Sequence, residues 1–453
     1  MVDPIVDPHV PNEFFTNPLS LSEALHMIRP ISDEEIRWAV FHIGNDKAPG
    51  PDGYTSKFFK SAWNIVGKDL QIAVHNFFYS GRLLKEINHT LLCFIPKVPN
   101  ASRVNDFWPI SCYNVLYKVI SKVIAERMKP YLFQLIGPEQ SAFIPGRRIS
   151  DNILMAHELV AGYQRNSGRP RCAFKIDLRK AYDTVDWRFL LGMLRGLGFH
   201  PVFCNWIDQM LQTSSFLIVL NGETSGFFEG ARGLRQGDPI SPYLFTIVME
   251  CFSMILKRCI MEAESFLFHQ GCDELAITHL CFADDLFVFT GGDLASVEVL
   301  KRALDMFRRI SGLEPNISKS DAFFCNVTPE DRAVILNCLP FKPAPSQTTR
   351  SVVVASATAT NHQAAPPDWW WRHRLSRTNT TSAPPAWWLR VDDVIDHRTA
   401  PQHVVAAHGC RTKTHATIWV AVIGGFRQRT TAQQRRVPPI VVAIMIGWWR
   451  RRP

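Results

Sequence analysis

Two short apolar runs, His279–Phe282 and Leu286–Phe289, are separated by only Ala283-Asp284-Asp285. A connection this short forces the runs into a tight hairpin. Such a corner favours Gly or Asn, because it needs positive φ, and two adjacent carboxylates repel each other there. Placing them between strands this apolar makes physical sense if a cation sits beside them. A second acid breaks a strand pattern in Ala173–Leu178. Asp is depleted in strands, yet period-2 alternation places Lys175, Asp177 and Arg179 on one face and Phe174, Ile176 and Leu178 on the other. One strand Asp and one hairpin Asp pair can converge on a two-metal site, where Mg²⁺ takes a few carboxylates and fills its shell with water and phosphate.

The stretch from Gly230 to Phe245 (GARGLRQGDPISPYLF) adds a glycine-rich loop running into a helix. Its glycines free backbone N–H groups near the helix start, and Gln236 brings an amide that both donates and accepts. Such a loop can hold a nucleotide.

Around these signals the chain reads as mixed strands and helices, an α+β fold. Residues 1–30 are Pro-rich and are expected to be a linker. Ser32 and Glu35 form a capping box for a helix carrying Ile36, Ala39, Val40 and Ile43. Gly44–Gly53 is a loop, a helix-rich stretch runs to about Leu84, and Thr90–Pro96 reads as a strand. Tyr117–Leu135 has the spacing of one amphipathic helix. Thr184 or Asp183 is expected to cap a helix over Trp187–Leu194, ended by Gly196 and Gly198. Phe216–Asn221 is a short strand, and Ser241-Pro242 opens an apolar helix as N-cap and N1. Leu294, Val297, Leu300, Leu304, Phe307 and Ile310 mark a helix face that Gly312 ends.

The formal charge of +9 is uneven. Residues 343–453 hold fourteen Arg and one Lys against four Asp, which leaves 35 basic and 37 acidic residues in 1–342. The basic charge therefore belongs to the tail and gives no ground for nucleic-acid binding by the body. The same tail holds eight of the thirteen Trp but one of the thirty Phe, with no helical or strand period. It is expected to be disordered, because too little patterned apolar surface offsets the entropy of ordering it. His403, His408, Cys410 and His415 match no common zinc spacing. Eleven cysteines without a CxxC pair read as reduced thiols rather than a metal or disulfide framework. The opening MVDPIVDPHVPNEFF lacks the basic and then apolar run of a signal peptide, and the longest apolar stretch, ten residues at 440–449, is too short for a membrane span.

In order, KIDLRKAYDTVDW (175–187), GLRQGDPISPYLF (233–245), CFADD (281–285) and SGLEPNISKS (311–320) resemble palm motifs A, B, C and D of a reverse transcriptase. NDKAPGPDGYTSKFFK (45–60), NHTLLCFIPKVPNASRVNDFWPIS (88–111) and QSAFIPGRRISDNILMAHE (140–158) resemble the fingers of non-LTR, LINE-type retrotransposon polymerases, especially those abundant in plant genomes. The resemblance covers about 31–342. It implies right-hand polymerase fingers over 31–171 and a palm over 172–342, with the thumb missing or unrecognisable. It implies an RNA template, a DNA primer and dNTPs as partners, and two Mg²⁺ ions as cofactor, with Mn²⁺ as a substitute. Asp177, Asp284 and Asp285 take the metal-binding catalytic positions. Tyr182 takes that of the aromatic gate against the sugar 2′-hydroxyl, and Gln236 and Gly237 that of the pair bordering the incoming nucleotide. Lys319 takes the motif D lysine that assists the leaving pyrophosphate. Lys97 and Arg103 lie in the stretch that grips the triphosphate. Tyr182 and Ala283-Asp-Asp argue against an RNA-dependent RNA polymerase.

The sequence departs from the family pattern in three places. Trp108 stands where the pattern Asp-Phe-Arg-Pro-Ile has Arg. Leu339-Pro-Phe-Lys342 opens the primer-grip motif but continues Pro-Ala-Pro-Ser. No endonuclease, Cys/His knuckle or ribonuclease H motif flanks the polymerase. The expectation is a truncated copy, with a catalytically dead nucleic-acid-binding remnant as the alternative. Compartment and oligomeric state are left open, a nuclear site being implied by the resemblance alone.

Overall fold

The computed structural model describes residues 10–163, 167–220 and 223–344. Of the basic tail expected from residue 343, only Pro343 and Ala344 are among them; the remainder, with its expected disorder and the His403, His408, Cys410 and His415 set, lies outside.

Two sheets and a helical framework make up the described fold. The five-stranded sheet has the order β6-β7-β3-β8-β9, with β3 (Arg171–Asp177), β6 (His279–Phe282), β7 (Asp285–Gly291), β8 (Asp321–Cys325) and β9 (Lys342–Pro343). Central β3 pairs antiparallel with β7 and with β8. Both faces of this sheet are covered. Cys172, Phe174, Ile176, Leu286 and Val288 enter the main core. Ala173, Phe287, Phe289 and Phe323 pack on the other face with Ala156 and Val160 from the region of helix α7 (Ile149–Leu159). The alternation expected for β3 therefore appears only at its end, where Lys175 and Asp177 are half-buried.

The four-stranded sheet has the order β2-β1-β4-β5, with β1 (His89–Pro96), β2 (Phe107–Tyr113), β4 (Ser215–Leu220) and β5 (Glu223–Glu229). β1 and β4 run parallel, His89 opposite Ser215. This sheet thus takes two strands from each side of residue 171. Parallel neighbours need a long crossover between them, so their pairing leaves no local trace in the sequence.

The main core lies among α5 (Val115–Met128), α9 (Trp187–Gly196), α10 (Pro201–Gln212), α11 (Ser241–Met261) and α12 (Leu294–Ser311). Phe245, Phe252 and Phe307 are fully buried there. The caps of α12 follow from its ends: Asp293 accepts from the Ser296 N–H, and Gly312 takes a left-handed C-cap at φ 78°. Among the described residues no helix is long and apolar enough to cross a membrane.

Four expectations need correction. Residues 10–30 are not a linker: α1 (Leu21–Met27) has a complete Ser20/Glu23 capping box, and Val10, Leu19 and Met27 are buried in the main core. Proline content misled, because the prolines flank the helix rather than interrupt it. The stretch Tyr117–Leu135 is not one helix. α5 ends at Met128, and a 3₁₀ turn Lys129–Tyr131 carrying Pro130 separates it from α6 (Leu132–Leu135), since proline lacks the N–H that the ladder needs. The N-cap of α9 is Asp186, which accepts from Arg188 and Phe189, because the chain makes a separate short helix α8 (Ala181–Thr184) first. The N-cap of α11 is Ile240, without a side-chain bond, so Ser241 already lies inside the helix.

Candidate active site

The hairpin forms as the apolar runs demand. β6 and β7 pair antiparallel with Phe282 opposite Asp285, which leaves Ala283 and Asp284 as a two-residue turn. Ala283 takes φ 57°, supplying the positive φ of that corner without glycine. Across the sheet, Asp177 ends β3 directly opposite Asp285. Strand parity puts both on one face: Asp177 follows Ala173 and Lys175, Asp285 precedes Phe287 and Phe289, and Ala173, Phe287 and Phe289 share the smaller cluster. Like charges directly opposite each other destabilise an antiparallel pair, so this register has an electrostatic cost in the free protein.

Asp284, on the turn between the strands, is half-buried beside these acids. Burial first, and then the neighbouring Asp285 carboxylate, push it up to about 7; Asp177 adds to the rise and Lys319 opposes it. The Asp177 carboxylate is steadied by Asn316, whose Nδ2 donates to Oδ2 at 3.1 Å. Its backbone is held by Asn316 N–H donating to the carbonyl at 2.7 Å and by its own N–H donating to Ser320 Oγ at 3.2 Å. Exposed Lys319 sits between those two anchors, on the turn that follows α12.

Tyr182 on α8 stacks on Phe245 of α11, ring centroids 4.5 Å apart at 15°. Burial, and next the charge of Asp284, raise its phenol far above the ordinary value. The loop 230–240 then lies along the same segment. Leu234 N–H donates to the Tyr182 carbonyl at 2.6 Å, Gly233 N–H to that of Val185 at 2.8 Å, and Trp187 Nε1 to Gly233 at 2.7 Å. Gln236 lines a cavity of about 320 Å³ together with Asp183, Arg235, Phe216 and Leu92. Asp183 is raised by burial, and Lys180 and Lys97 act against the rise, so exposed Lys97 lies within electrostatic reach of this cavity wall. Arg103 stands further along the same connection, on the exposed turn before β2, where its backbone N–H donates to the Asp106 carboxylate at 2.9 Å.

Three residues that carry this arrangement were missed in the sequence. Tyr113 OH donates to the Gly237 carbonyl at 2.5 Å, and Tyr117 OH donates to Asp238 at 2.5 Å. Ser121 donates to the other oxygen of the buried Asp238. Together they pin the glycine loop to α5 and the four-stranded sheet. The spacing of Tyr117 and Ser121, i and i+4 on one helix, was the available signal.

The three acids offer carboxylate oxygens, the donors that Mg²⁺ and Mn²⁺ prefer, and the crowding at Asp284 marks a place where positive charge is stabilising. Among the described residues no three His, Cys, Asp or Glu side chains close around one point. As placed, the three acids could hold such an ion only as part of a coordination shell that substrate phosphate and water would complete.

The family model of the reverse transcriptase (RNA-dependent DNA polymerase) matches residues 95–356. The chain belongs to the reverse transcriptase family. Relatives that it matches carry the names of transposon and retrotransposable-element proteins. It is 28% identical over 291 residues to the transposon TX1 uncharacterized 149 kDa protein of Xenopus laevis, covering 64% of this chain and 22% of that one. It is 27% identical over 312 residues to the retrovirus-related Pol polyprotein from the type-2 retrotransposable element R2DM of Drosophila melanogaster, covering 69% and 28%. An uncharacterized mitochondrial protein of Arabidopsis thaliana is 39% identical over 69 residues, 15% of this chain and 57% of that protein. The chain thus spans about a quarter of the length of the first two of these relatives, 22% and 28%.

Proposed function

We propose that this chain extends a DNA primer on an RNA template, transferring a nucleotide from dNTP to the primer 3′-hydroxyl with release of pyrophosphate. The observation that carries the reading is the register that sets Asp177 opposite Asp285 on one sheet face, with Asp284 on the adjoining turn. In this reading the five-stranded sheet is the palm, and the segments around β1 and β2 are the fingers. Divalent ions, two Mg²⁺ held by Asp177, Asp284 and Asp285, would activate the attacking hydroxyl and stabilise charge on the leaving oxygen. Asn316 and Ser320 keep Asp177 in place for this. Tyr182, held flat on Phe245, stands as a wall at the sugar and excludes a 2′-hydroxyl by collision. Gln236 and Gly237 border the incoming nucleotide on a loop that Tyr113 and Tyr117 fix. Lys319 places a cation beside the acids for the leaving pyrophosphate, and Lys97, with Arg103 behind it, faces the triphosphate from the fingers side.

Primer extension by the purified chain on an RNA template, with dNTPs and rNTPs in parallel, tests the reading. Extension with dNTPs is expected, and Asp284→Asn should lower its rate on the order of 10²–10³-fold, the scale of losing a central electrostatic group. A wild-type rate in the variant would remove the acids from the chemistry. Trp108 in place of the family Arg favours one second reading, a remnant that binds template-primer without extending it. Duplex binding with no extension by the wild-type chain would establish that instead.

A further inference from the structure

β6 is an edge strand of the five-stranded sheet, and its outer side is closed by a segment that is not a strand of that sheet. Cys281 N–H donates to the Glu139 carbonyl at 2.9 Å, and Ser141 N–H donates back to the Cys281 carbonyl at 3.3 Å. Beyond Phe282 the chain turns through Ala283 and Asp284. A side chain takes over there. Ala283 N–H donates to Gln140 Oε1 at 3.2 Å, and Gln140 Nε2 donates to the Ala283 carbonyl at 3.4 Å. The amide thus meets both polar groups of one residue, as a paired strand would. Gln140 Oε1 also accepts from Ala142 N–H at 3.0 Å, which holds the side chain in its own loop. Gln140 is 2% exposed and Ala283 3%, so water does not compete for these bonds.

Ala283 needs such a clamp. At φ 57° its Cβ crowds the following carbonyl, a conformation that glycine takes freely and alanine does not. The next residue is Asp284, so the two peptide planes that Gln140 grips set where that carboxylate points. The clamp is itself anchored. Gly137 N–H donates to Glu250 at 2.8 Å, Lys257 pairs with Glu139 at 2.7 Å, and Arg147 donates to the Gln140 carbonyl at 2.8 Å. Glu250 and Lys257 belong to α11, the helix that follows the glycine loop.

We infer that Gln140 is a positioning residue for polymerisation: its amide holds the Ala283–Asp284 turn in a conformation that alanine would otherwise leave, and so aims the Asp284 carboxylate at the acids' common face. The inference rests on the polymerase reading of those acids. The sheet pairs of β6 and β7 do not depend on the amide, so loss of Gln140 should loosen the turn without unfolding the hairpin.

The test uses the full chain and two variants, Gln140→Met, which keeps the volume and removes the bonds, and Gln140→Met with Ala283→Gly. In primer extension, Gln140→Met should lower kcat by up to about 10²-fold, the scale of a misplaced reacting group, with the KM for dNTP within about twofold, as expected for an interaction that matters only in the transition state. Mn²⁺ binding, followed by the EPR signal of the free ion, should weaken about tenfold, as when a group that orients a ligand is lost. Ala283→Gly should recover most of both, because glycine accepts the turn unaided. A folded Gln140→Met protein with unchanged kcat and unchanged Mn²⁺ binding overturns the inference, and so does a defect that Ala283→Gly leaves untouched. If the wild-type chain extends no primer, the polymerase reading fails by itself. The Mn²⁺ titration then decides: weaker binding in Gln140→Met upholds the positioning role, and equal binding overturns it.

Discussion

Gly233 and Gly237 both have left-handed backbones, φ 87° and 93°, yet different constraints act on them. A Cβ on Gly233 would lie 2.7 Å from the Asp183 carbonyl oxygen and 2.9 Å from its Cα, all backbone atoms that cannot swing away. A Cβ on Gly237 would meet nothing within 4 Å. Gly237→Ala should therefore cost about 1–2 kcal/mol, the left-handed penalty alone. Gly233→Ala should cost about 1–3 kcal/mol more, the scale of overpacking, because the loop must part from α8 just where Leu234 bonds to Tyr182. Denaturant unfolding of the two variants measures this directly; equal losses would mean that the close approach at Gly233 does not matter.

At the scale of elements, α11 links the chemistry to the core. Its Glu250 is pushed up to about 7, mainly by burial, with Glu139 adding to the rise and Gly137, Lys257 and Arg147 working against it. The folded state therefore binds this proton more tightly than the unfolded chain, whose Glu titrates near 4.5. The sign follows from linkage: the group's contribution to stability is fully present below about 4.5 and is lost as pH rises through about 7. Buried His269 and His279, each lowered to about 4 chiefly by burial, act in the opposite direction, costing stability as pH falls below about 6.5. Comparison of Glu250→Gln with the wild type separates the two effects. The melting temperature of the variant relative to wild type should rise steadily from pH 5 to pH 8. A difference independent of pH would show that Glu250 does not titrate in this window.

Across the described molecule, Arg127 is the residue that turns the N-terminal stretch into part of the fold. Its guanidinium, in a side chain only 2% exposed, pairs with Glu35 at 2.8 Å and donates to the carbonyls of Met27, Arg29 and Pro30. One charged fork thereby fastens α1, the start of α2 (Asp33–Phe41) and α5 together. Arg127→Ala leaves three carbonyls without that partner and Glu35 with Arg29 as its ion-pair partner, so a loss of about 1–3 kcal/mol is expected, the scale of buried polar groups left unsatisfied. Limited proteolysis of the variant should then cut within residues 10–30 before the rest of the fold. Unchanged stability and unchanged cleavage would show that the apolar contacts of Met27 and Leu19 suffice to hold the segment.

What the sequence determined by itself was local. Neighbours within one helical turn carry the Ser32/Glu35 box and the Gly312 stop, both formed as read, and the same physics makes the hairpin around Asp284. The acids were legible because carboxylates between apolar runs are chemically out of place, and the ordered motifs carried the family that the comparisons show. The Ser20/Glu23 box was equally local and was overlooked beneath the prolines. Tertiary structure alone decided that Asp177 faces Asp285, since register is set where distant strands meet and a slip of one residue would turn a carboxylate to the other face. It alone paired β1 with β4, more than a hundred residues later, and brought Gln140 to Ala283 and Tyr117 to Asp238. These contacts join groups far apart in the chain, so their energy appears only after the loops between them have closed and the loop entropy has been lost; no residue pattern within reach of a helical turn or a strand repeat encodes them.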